Sequence, residues 1–564
     1  MKIFLAQLNP IVGDLDRNAE NIFRILSIAQ KESANIVVTP ELSLWGYPPK
    51  DLLYKKDLFT KQKKILNELS TKIKKFYGNL SVIIGVAEEI NDGFFPNLYN
   101  SIALIENGKW RIIARKIILP TYEIFDEKRY FRSGENVYVL EKQLDNNIWR
   151  IGITICEDLW VDENIEGRGK HKENPIFDLR EKNINLLLNI SASPFTLGKI
   201  KNREKICGFA SRNLNIPIIY INQIGGNDDL VFDGNSFILN KNGNLIKELK
   251  SCEEDHICWD LTKKDNILSN KKDKCEMEAI FNVLVLGLKD YAKKCRFNTA
   301  LIGLSGGIDS ALVSVIASAA LGSNNIFSIS MPSKWSSKNS LIDAYELAKR
   351  LKININTMSI ETIFDEFEDT FGSQLNFELK GITNENLQSR IRGTILMAIA
   401  NEYAHLLLST GNKSEIAVGY CTLYGDMNGG LSLIGDLYKT NVFRLAKWID
   451  SKDSIQAREK YCLPSKGAII GDKILNKLPS AELAPNQLDT DSLPPYSELD
   501  ILLKKIIEER KDFEKLQNEG FENNLITKIL LLIKKSEFKR KQAPPIIKLS
   551  SQSLGNDWRL PIAR

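Results

Sequence analysis

Histidine is scarce in this chain, and its cysteines do not form the pairs typical of disulfide frameworks or zinc sites. The 564 residues include only 3 histidines and 8 scattered cysteines, with no Cys-x-x-Cys. The nearest approach to metal-ligand spacing is Cys252, His256 and Cys258, and no second Cys/His pair follows it. The pattern therefore indicates neither a disulfide framework nor a tetrahedral zinc site, and a strand with a core-facing cysteine is the simpler interpretation.

A strong net charge and a long apolar run are also missing. Lys and Arg number 76 against 71 acidic residues, a net charge of +5, which argues against a dominant nucleic-acid or membrane surface. No uninterrupted apolar stretch approaches membrane-spanning length. The first apolar run soon meets Asn9, Pro10 and Gly13, which is typical of a first strand and not of a signal peptide. We therefore expect a cytoplasmic protein that binds neither nucleic acid nor membranes.

The chain is too long for one ordinary core, so two or more domains are expected. In the first half, short β-branched runs such as 36–38 and 151–155 alternate with helix-like stretches, which predicts a layered α/β domain. A polar stretch without apolar periodicity follows, and strand and helix signals then alternate again, which predicts a doubly wound parallel sheet. The predicted parts are a first domain over 1–262, a linker over 263–278 and a second domain over 279–564.

A glycine-rich turn directly follows the apolar run 299–302 and precedes a helix-like run at 311–313. Glycines let a backbone approach an anion closely, and helix N-terminal N–H groups favour negative charge, so the turn predicts a pyrophosphate cradle. Asp309 stands where a kinase-type phosphate loop has lysine, and a carboxylate beside phosphates makes sense if it holds Mg²⁺. The alternative is a simple strand-to-helix turn. The turn consists of Gly303, Leu304, Ser305, Gly306, Gly307, Ile308, Asp309 and Ser310.

This turn resembles the motif of the N-type ATP pyrophosphatase family. The resemblance implies a Rossmann-like domain that cleaves ATP to AMP and pyrophosphate while adenylating an acceptor oxygen.

Three reactive residue types stand at or near the ends of strand-like runs in the first half: Glu41, Lys116 and Cys156. A cysteine at such a position is well placed as a nucleophile, although a lone cysteine is more often an inert buried thiol. A carboxylate could take the thiol proton and return it to departing ammonia, and a lysine could stabilise an oxyanion and lower the thiol pKa. A Cys–His pair is the weaker alternative, with His171 as its candidate histidine.

The trio resembles the Glu-Lys-Cys triad of the nitrilase superfamily, and its sequence contexts are close to the glutamine amidase branch. The resemblance implies an α/β/β/α sandwich that hydrolyses glutamine at Cys156. It also implies that Tyr122, Ser193 and Lys199 hold the glutamine, with Lys199 as a partner for its α-carboxylate.

Blocks further along the second half, at 384–393, 408–426 and 436–440, closely resemble those of the glutamine-dependent NAD synthetase family. The resemblance covers essentially the entire chain. It implies ATP-dependent amidation of deamido-NAD, through adenylation of the nicotinate carboxylate and attack by ammonia released at Cys156. ATP is then a co-substrate, Mg²⁺ is the cofactor, and the substrates are glutamine, ATP and deamido-NAD; a homo-oligomer is expected.

The same resemblance assigns residues of the second half. Asp309 and Glu415 would bind Mg²⁺, while Thr410, Lys439 and Ser480 would join the glycine turn in contacting ATP. The residues implied to contact deamido-NAD are Asn386, Arg390, Glu415 and Lys539. For Lys539, which lies in a basic run, a solvated face is the alternative. The segment from Leu423 to Gly430 departs from the pattern of ammonia-only synthetases, so no contact is assigned there.

Two other functions remain open at this point. The same cradle could serve another acceptor, as in GMP synthetase or tRNA thiolation, although the near-zero net charge and the lack of Cys-x-x-Cys weigh against the latter. An interaction scaffold built on two decayed enzyme folds is disfavoured because every expected reactive residue is present.

Overall fold

The computed structural model describes residues 1–144, 147–160, 174–263, 266–268 and 275–563. The chain divides into two compact units, one comprising Met1–Asn227 and Val231–Asp273 and the other Asp228–Leu230 and Lys274–Arg564. Part of the predicted linker, and His171, lie outside the described residues. Within the described residues, no helix has the length and apolar character needed to cross a membrane.

Two six-stranded mixed sheets form the core of the first unit, with parallel strands at their centres and antiparallel strands at their edges. The strands are β1 (Lys2–Gln7), β2 (Ile36–Val38), β3 (Ser81–Glu89), β4 (Leu98–Glu106), β5 (Lys109–Arg115), β6 (Tyr138–Leu144), β7 (Asn147–Ile155), β8 (Leu186–Ser191), β9 (Ile218–Asn222), β10 (Ile224–Asn227), β11 (Leu230–Asp233), β12 (Phe237–Leu239), β13 (Leu245–Glu248) and β14 (Asp255–Asp260). The helices are α1 (Leu15–Lys31), α2 (Lys56–Tyr77), α3 (Glu127–Tyr130), α4 (Pro175–Arg180) and α5 (Lys199–Leu214).

One sheet has the order β14-β1-β2-β3-β4-β5 and the other β13-β12-β9-β8-β7-β6. Alternate apolar residues of both sheets, such as Ile3, Ile83, Ile153 and Leu188, meet in one buried cluster, as the two-residue period of strands requires. The helices α1 and α2 cover the first sheet, and α4 and α5 cover the second. The predicted α/β/β/α sandwich is therefore confirmed.

The second unit contains a five-stranded parallel sheet of order β17-β16-β15-β18-β19, followed by a helical C-terminal part. Its elements are α6 (Glu276–Lys294), β15 (Ala300–Gly303), α7 (Ile308–Leu321), β16 (Ile326–Ser330), α8 (Lys338–Leu351), β17 (Asn354–Thr357), α9 (Glu361–Leu375), α10 (Ile382–Tyr403), β18 (Leu406–Ser409), α11 (Lys413–Val418), β19 (Leu431–Ser432), α12 (Lys439–Asp450), α13 (Ile455–Lys460), α14 (Asp472–Leu475), α15 (Tyr496–Ile507), α16 (Phe513–Asn518), α17 (Asn523–Lys535) and α18 (Glu537–Arg540).

The strand order reverses at β15, whose neighbours are β16 and β18. Apolar side chains of α9 and α10 pack on one face of the sheet, and α7 follows β15 through the glycine-rich turn. A reversal of strand order opens a crevice at the carboxyl ends of the strands, where doubly wound proteins bind ligands. The predicted doubly wound sheet is confirmed, and its geometry places the glycine-rich turn at the crevice.

Candidate active sites

A cluster of buried charges lies in the first unit, where β2 and β5 end. Nζ of Lys116 donates hydrogen bonds of 2.7 Å to Oε1 of Glu41 and of 2.7 Å to Oε1 of Glu127. All three side chains are at most 5% exposed. Two carboxylates around one ammonium offset the cost of burying its charge, so the lysine stays protonated. Glu127 was not among the predicted site residues.

The carboxylate of Glu41 has two further partners that fix its orientation. Its Oε1 atom accepts a hydrogen bond of 2.7 Å from Nδ2 of Asn100, and its Oε2 atom accepts one of 2.8 Å from the backbone N–H of Ala192. Strand β4 supplies Asn100, and Ala192 directly follows β8 of the other sheet. Both sheets therefore hold this carboxylate in place. A general base needs such a fixed position in order to reach one particular proton.

Cys156 directly follows β7 and adopts a φ of 49°, in the left-handed region that a residue with a side chain seldom occupies. The sharp turn it makes leads into a short 3₁₀-helix over Cys156–Leu159. Burial raises the pKa of its thiol well above the usual range, the charge of Glu41 raises it further, and Lys116 opposes the rise. The predicted lowering by Lys116 is thus present but outweighed, so the thiol is protonated at rest and needs a base.

Asp158 connects the turn at Cys156 to the segment that carries Lys116. Its Oδ2 atom accepts a hydrogen bond of 2.9 Å from the N–H of Ile155, and its Oδ1 atom accepts bonds of 3.0 and 2.8 Å from the N–H groups of Ile117 and Ile118. Three backbone donors on one buried carboxylate are a strong local constraint. The separation between Cys156 and Lys116 is thereby fixed through the backbone.

One of the three predicted glutamine ligands, Tyr122, contacts the same turn. The hydroxyl of Tyr122 donates a short hydrogen bond to Oε1 of Glu157, the residue after Cys156. The ring of Tyr122 also packs edge-on against Phe125, and Nζ of Lys199 lies 5.9 Å from the centre of the Phe125 ring. An aromatic wall with a lysine at its rim is thus formed next to the nucleophile.

Ser193, the third predicted glutamine ligand, is buried. Its hydroxyl accepts a hydrogen bond of 3.2 Å from Nε of Arg203, and Arg203 is itself paired with Asp233 at 2.8 Å. This serine is therefore held by a buried ion pair. Of the two histidines in the described residues, His256 stacks on Phe4 and His405 on Phe327.

In the second unit, the glycine-rich turn connects β15 to α7 through a backbone that requires glycine. Gly306 has a φ of +79°, and a Cβ added there would come within 2.1 Å of the carbonyl oxygen of Ser340. A side chain at this position would force the turn away from α8. The turn keeps its N–H groups at the start of α7, a helix of 14 residues whose N-terminal end favours anions.

Asp309, Glu415 and the buried Lys439 form a second charge cluster, partly buried, at the first turn of α7. Nζ of Lys439 donates hydrogen bonds of 2.5 Å to Oδ2 of Asp309 and of 3.0 Å to Oε1 of Glu415. Nδ2 of Asn412 donates a bond of 2.9 Å to the other oxygen of Asp309. Asn412 also forms a reciprocal capping box with Glu415 at the start of α11, so the two carboxylates are held toward each other.

Burial raises the pKa of Glu415 to about 7, with Lys439 opposing the rise and Asp309 adding to it. The two carboxylates raise the pKa of Lys439 above its usual range against the effect of burial. In the part of the chain that the structure describes, no group of three or more His, Cys, Asp or Glu side chains could by itself hold a metal ion. Carboxylate oxygens are nevertheless the protein ligands that Mg²⁺ takes in ones and twos, with phosphates and water as the rest.

A cavity of about 320 Å³ opens at the carboxyl ends of β15, β16 and β18. The glycine-rich turn lines it, together with the predicted residues Thr410, Glu415, Lys439 and Ser480. The hydroxyl of Ser480 accepts a hydrogen bond of 3.1 Å from the N–H of Glu482. Further polar side chains in its wall, which the sequence did not single out, are Ser340, Arg392, Lys477, Glu482 and Asp489.

The other residues predicted to contact deamido-NAD lie beside this cavity without lining it. Asn386 accepts a hydrogen bond of 2.8 Å from the hydroxyl of Thr422. Arg390, which is exposed, donates from Nε to the carbonyl oxygen of Leu423 at 3.2 Å. Lys539 donates from Nζ to the carbonyl oxygens of residues 419 and 421, at 2.9 and 2.7 Å. All three therefore contact one loop, at 419–423, whose residue 421 lines the cavity.

Comparison with known proteins gives the same result for each half and for the whole chain. A family model described as carbon-nitrogen hydrolase matches residues 2–265, and one described as NAD synthase matches residues 280–543. The glutamine-dependent NAD(+) synthetase of Synechocystis sp. is 43% identical over 100% of this chain and 98% of its own length. The enzyme of the same name from Thermotoga maritima is 36% identical over 100% and 98%.

A solved structure agrees with these relatives. The glutamine-dependent NAD+ synthetase from Acinetobacter baumannii, determined in complex with ADP, is 33% identical, with a TM-score of 0.75. The match covers 100% of this chain and 98% of that one.

Proposed function

Because the chain belongs to the glutamine-dependent NAD(+) synthetase family, we propose that it amidates deamido-NAD to NAD, using ATP and taking the nitrogen from glutamine. The enzyme is a ligase that forms a C–N bond and yields AMP, pyrophosphate and glutamate. The observation that carries this proposal is the presence, in one chain matched over its full length, of a buried Glu-Lys-Cys cluster and a phosphate-binding turn with paired carboxylates.

Glutamine hydrolysis occurs in the first unit, with Cys156 as the nucleophile. The raised pKa of the thiol supports Glu41 as the base that removes its proton and later delivers that proton to the departing ammonia. Lys116, held between Glu41 and Glu127, supplies positive charge to the oxyanion of the tetrahedral intermediate. Tyr122, Ser193 and Lys199 hold the glutamine, with the Lys199 ammonium on its α-carboxylate.

Adenylation occurs at the cavity of the second unit. The turn 303–310 holds the pyrophosphate part of ATP, with Thr410, Lys439 and Ser480 as further ATP ligands. Asp309 and Glu415, whose oxygens converge on one ammonium, would hold Mg²⁺, which offsets the charge of phosphates that approach a carboxylate. Lys439 is then free to turn from the carboxylates to a phosphate.

Deamido-NAD binds beside ATP, with its nicotinate carboxylate toward the α-phosphate. Asn386, Arg390, Glu415 and Lys539 are its ligands, and the position of three of them around the loop 419–423 supports this assignment. Ammonia from Cys156 attacks the adenylate and displaces AMP. It must travel inside the protein, because in neutral water it would mostly become ammonium, which has no lone pair for the attack.

We further propose that the enzyme is cytoplasmic, binds no nucleic acid and forms a homo-oligomer. Exposed apolar side chains between the end of α9 and the start of α10, at Leu375, Phe377 and Ile382, support self-association. Light scattering of the purified chain tests the oligomer, and Ile382→Lys should lower the measured mass if this surface is the contact.

The deciding experiment incubates the purified chain with ATP, MgCl₂, glutamine and deamido-NAD and measures NAD, AMP, pyrophosphate and glutamate. Equimolar formation of all four is expected, with loss of NAD when EDTA is added and its return when MgCl₂ is restored. Glutamine hydrolysis without NAD, together with ATP cleavage toward another carboxylate acceptor, would show that the acceptor is wrong.

A further inference from the structure

Arg392 is an arginine in the wall of the cavity whose charge no carboxylate of the described chain neutralises. Its Nε atom donates a hydrogen bond of 2.9 Å to the carbonyl oxygen of Met331. Within the described residues, no carboxylate oxygen lies within 4.0 Å of its guanidinium, and no protein acceptor is hydrogen-bonded to Nη1 or Nη2. The part of the guanidinium that forms a planar fork is therefore left for a ligand.

The lack of a carboxylate partner for Arg392 is unusual in these surroundings, because burial of an unpaired charge is costly. Burial lowers the pKa of Arg392 to about 10, and the charge of Glu482 opposes this shift. That carboxylate is already used: it accepts hydrogen bonds from the hydroxyl of Ser340 at 2.5 Å and from the N–H of Ser337 at 3.3 Å. Arg392 nevertheless stays protonated at neutral pH, so the cavity wall carries a partly buried positive charge.

The position of Arg392 follows from how α10 packs on the sheet. Leu396, one turn further along α10 on the same face, lies 3.1 Å from where a Cβ on Gly303 would be. Gly303 ends β15, and Met331 follows the last residue of the neighbouring β16. Arg392 therefore stands over the carboxyl ends of both strands, beside the start of the phosphate-binding turn.

We propose that Arg392 binds a phosphate group of ATP through its two Nη groups, as an anion ligand in the same cavity wall as the Asp309–Glu415–Lys439 cluster. Guanidinium forks match phosphate oxygens in a bidentate manner, and the N–H groups of the turn 303–308 already select for the same polyphosphate. This inference rests on the proposed function for the identity of the nucleotide. Any ligand that presents an oxyanion has the chemistry that this guanidinium recognises. The test separates ATP from the alternative ligand, which is the carboxylate or pyrophosphate of deamido-NAD.

The test compares the wild type with Arg392→Met, Arg392→Lys and a matched control, Arg458→Met. Arg458 is also buried with a lowered pKa, but its donors are taken by the carbonyl oxygens of Pro464, Gly467 and Ile449, and it lies outside the cavity wall. We measure KM for ATP and for deamido-NAD with ammonium chloride as the nitrogen donor, ATP binding by calorimetry, and the melting temperature without ligand.

Arg392→Met should raise KM and Kd for ATP about tenfold to hundredfold, as loss of one charge-assisted contact predicts, and leave KM for deamido-NAD unchanged. Arg392→Lys should restore part of the affinity. Because the side chain of Arg392 contributes little to the stability of the protein without ligand, Arg392→Met should melt at the same temperature as the wild type or higher. Arg458→Met should melt at a lower temperature and keep its KM for ATP.

Three outcomes would overturn the inference: an unchanged KM and Kd for ATP, a rise confined to KM for deamido-NAD, or a loss of melting temperature like that of Arg458→Met. Failure of the proposed function can be distinguished from failure of this inference about Arg392. A wild type that forms no NAD but binds ATP with an affinity that depends on Arg392 would keep this inference and reject the reaction.

Discussion

Lys439 donates a hydrogen bond of 2.5 Å to Oδ2 of Asp309, across 130 positions of the chain. The contact brings the start of α12 to the first turn of α7, below the glycine-rich turn. Among the described residues, Lys439 is the cation paired with Asp309, so its ammonium neutralises this carboxylate. The same carboxylate is our proposed Mg²⁺ ligand, so metal and lysine compete for it when ATP binds.

Asp309→Asn should abolish NAD formation with either nitrogen donor, because a neutral amide holds Mg²⁺ and positions ATP poorly. Glutamine hydrolysis should remain detectable, since Asp309 lies in the second unit and Cys156 in the first. Pyrophosphate release and glutamate formation measure the two activities separately. Asp290→Asn, a change at a buried aspartate of α6, is the matched control. Normal NAD formation by Asp309→Asn would remove the metal assignment.

The strand ends near Glu41 and Cys156 could be predicted from the sequence. Glu41 and Cys156 follow β-branched runs, and the resulting strand ends lie where the pattern indicated. The fold class was predictable for the same reason, because apolar periods of two, alternating with helical stretches, dictate which faces are buried.

Glu127 shows what the sequence could not reveal. It stands in a polar stretch beside Asp126 and Lys128, which looks like a solvated loop, yet it is 4% exposed. Its partners Lys116 and Tyr47 lie 11 and 80 positions away, so only the folded chain brings them together. Arg392 was not predicted as a site residue for a related reason. The residues next to it in the sequence do not show that, in the described chain, its Nη groups have no protein acceptor.

Glu127→Gln should lower kcat for glutamine hydrolysis about tenfold to hundredfold, because the ion pair that holds the Lys116 ammonium loses one of its two carboxylate charges. Burial raises the pKa of Glu127 to about 7, with Lys116 opposing the rise. The wild-type rate should therefore increase as pH rises through about 7, when the ionised carboxylate forms, and this limb should be absent from the variant.

The same group affects stability with a sign that can be worked out. Since its folded pKa lies above its ordinary value of 4.5, the folded protein binds more protons than the unfolded chain between these values. The contribution of Glu127 to the free energy of unfolding thus falls as pH rises from about 4.5 to about 7. Melting curves of the wild type and Glu127→Gln across this range measure it. Glu88→Gln, at a carboxylate paired with Arg115, is the control; equal pH profiles in all three proteins would contradict the role of Glu127.

Lys539→Ala should lower kcat/KM for deamido-NAD about tenfold to hundredfold, because Lys539 holds the loop 419–423 and supplies a charge beside the dinucleotide. Its neighbour in the basic run, Lys541, donates to the carbonyl oxygen of Trp558 and serves as the control through Lys541→Ala. Steady-state kinetics with varied deamido-NAD give the comparison. If both variants keep wild-type kinetics, the basic run is a solvated face.

Cys156→Ala should eliminate NAD synthesis from glutamine, since no thioester can form without the thiol. Synthesis from added ammonium salts should remain largely intact, because the cavity proposed for adenylation is lined by residues of the second unit and ammonia can also come from solution. Cys207→Ala, at another buried cysteine of the first unit whose thiol pKa is also raised by burial, controls for packing. A small neutral substitution should leave both units folded, so the rates with the two nitrogen donors can be compared. Retained use of glutamine would mean that the nucleophile is wrong, and loss of both activities would mean that Cys156 has another role. Only the selective loss of glutamine-dependent synthesis agrees with a nucleophile that serves to release ammonia from glutamine.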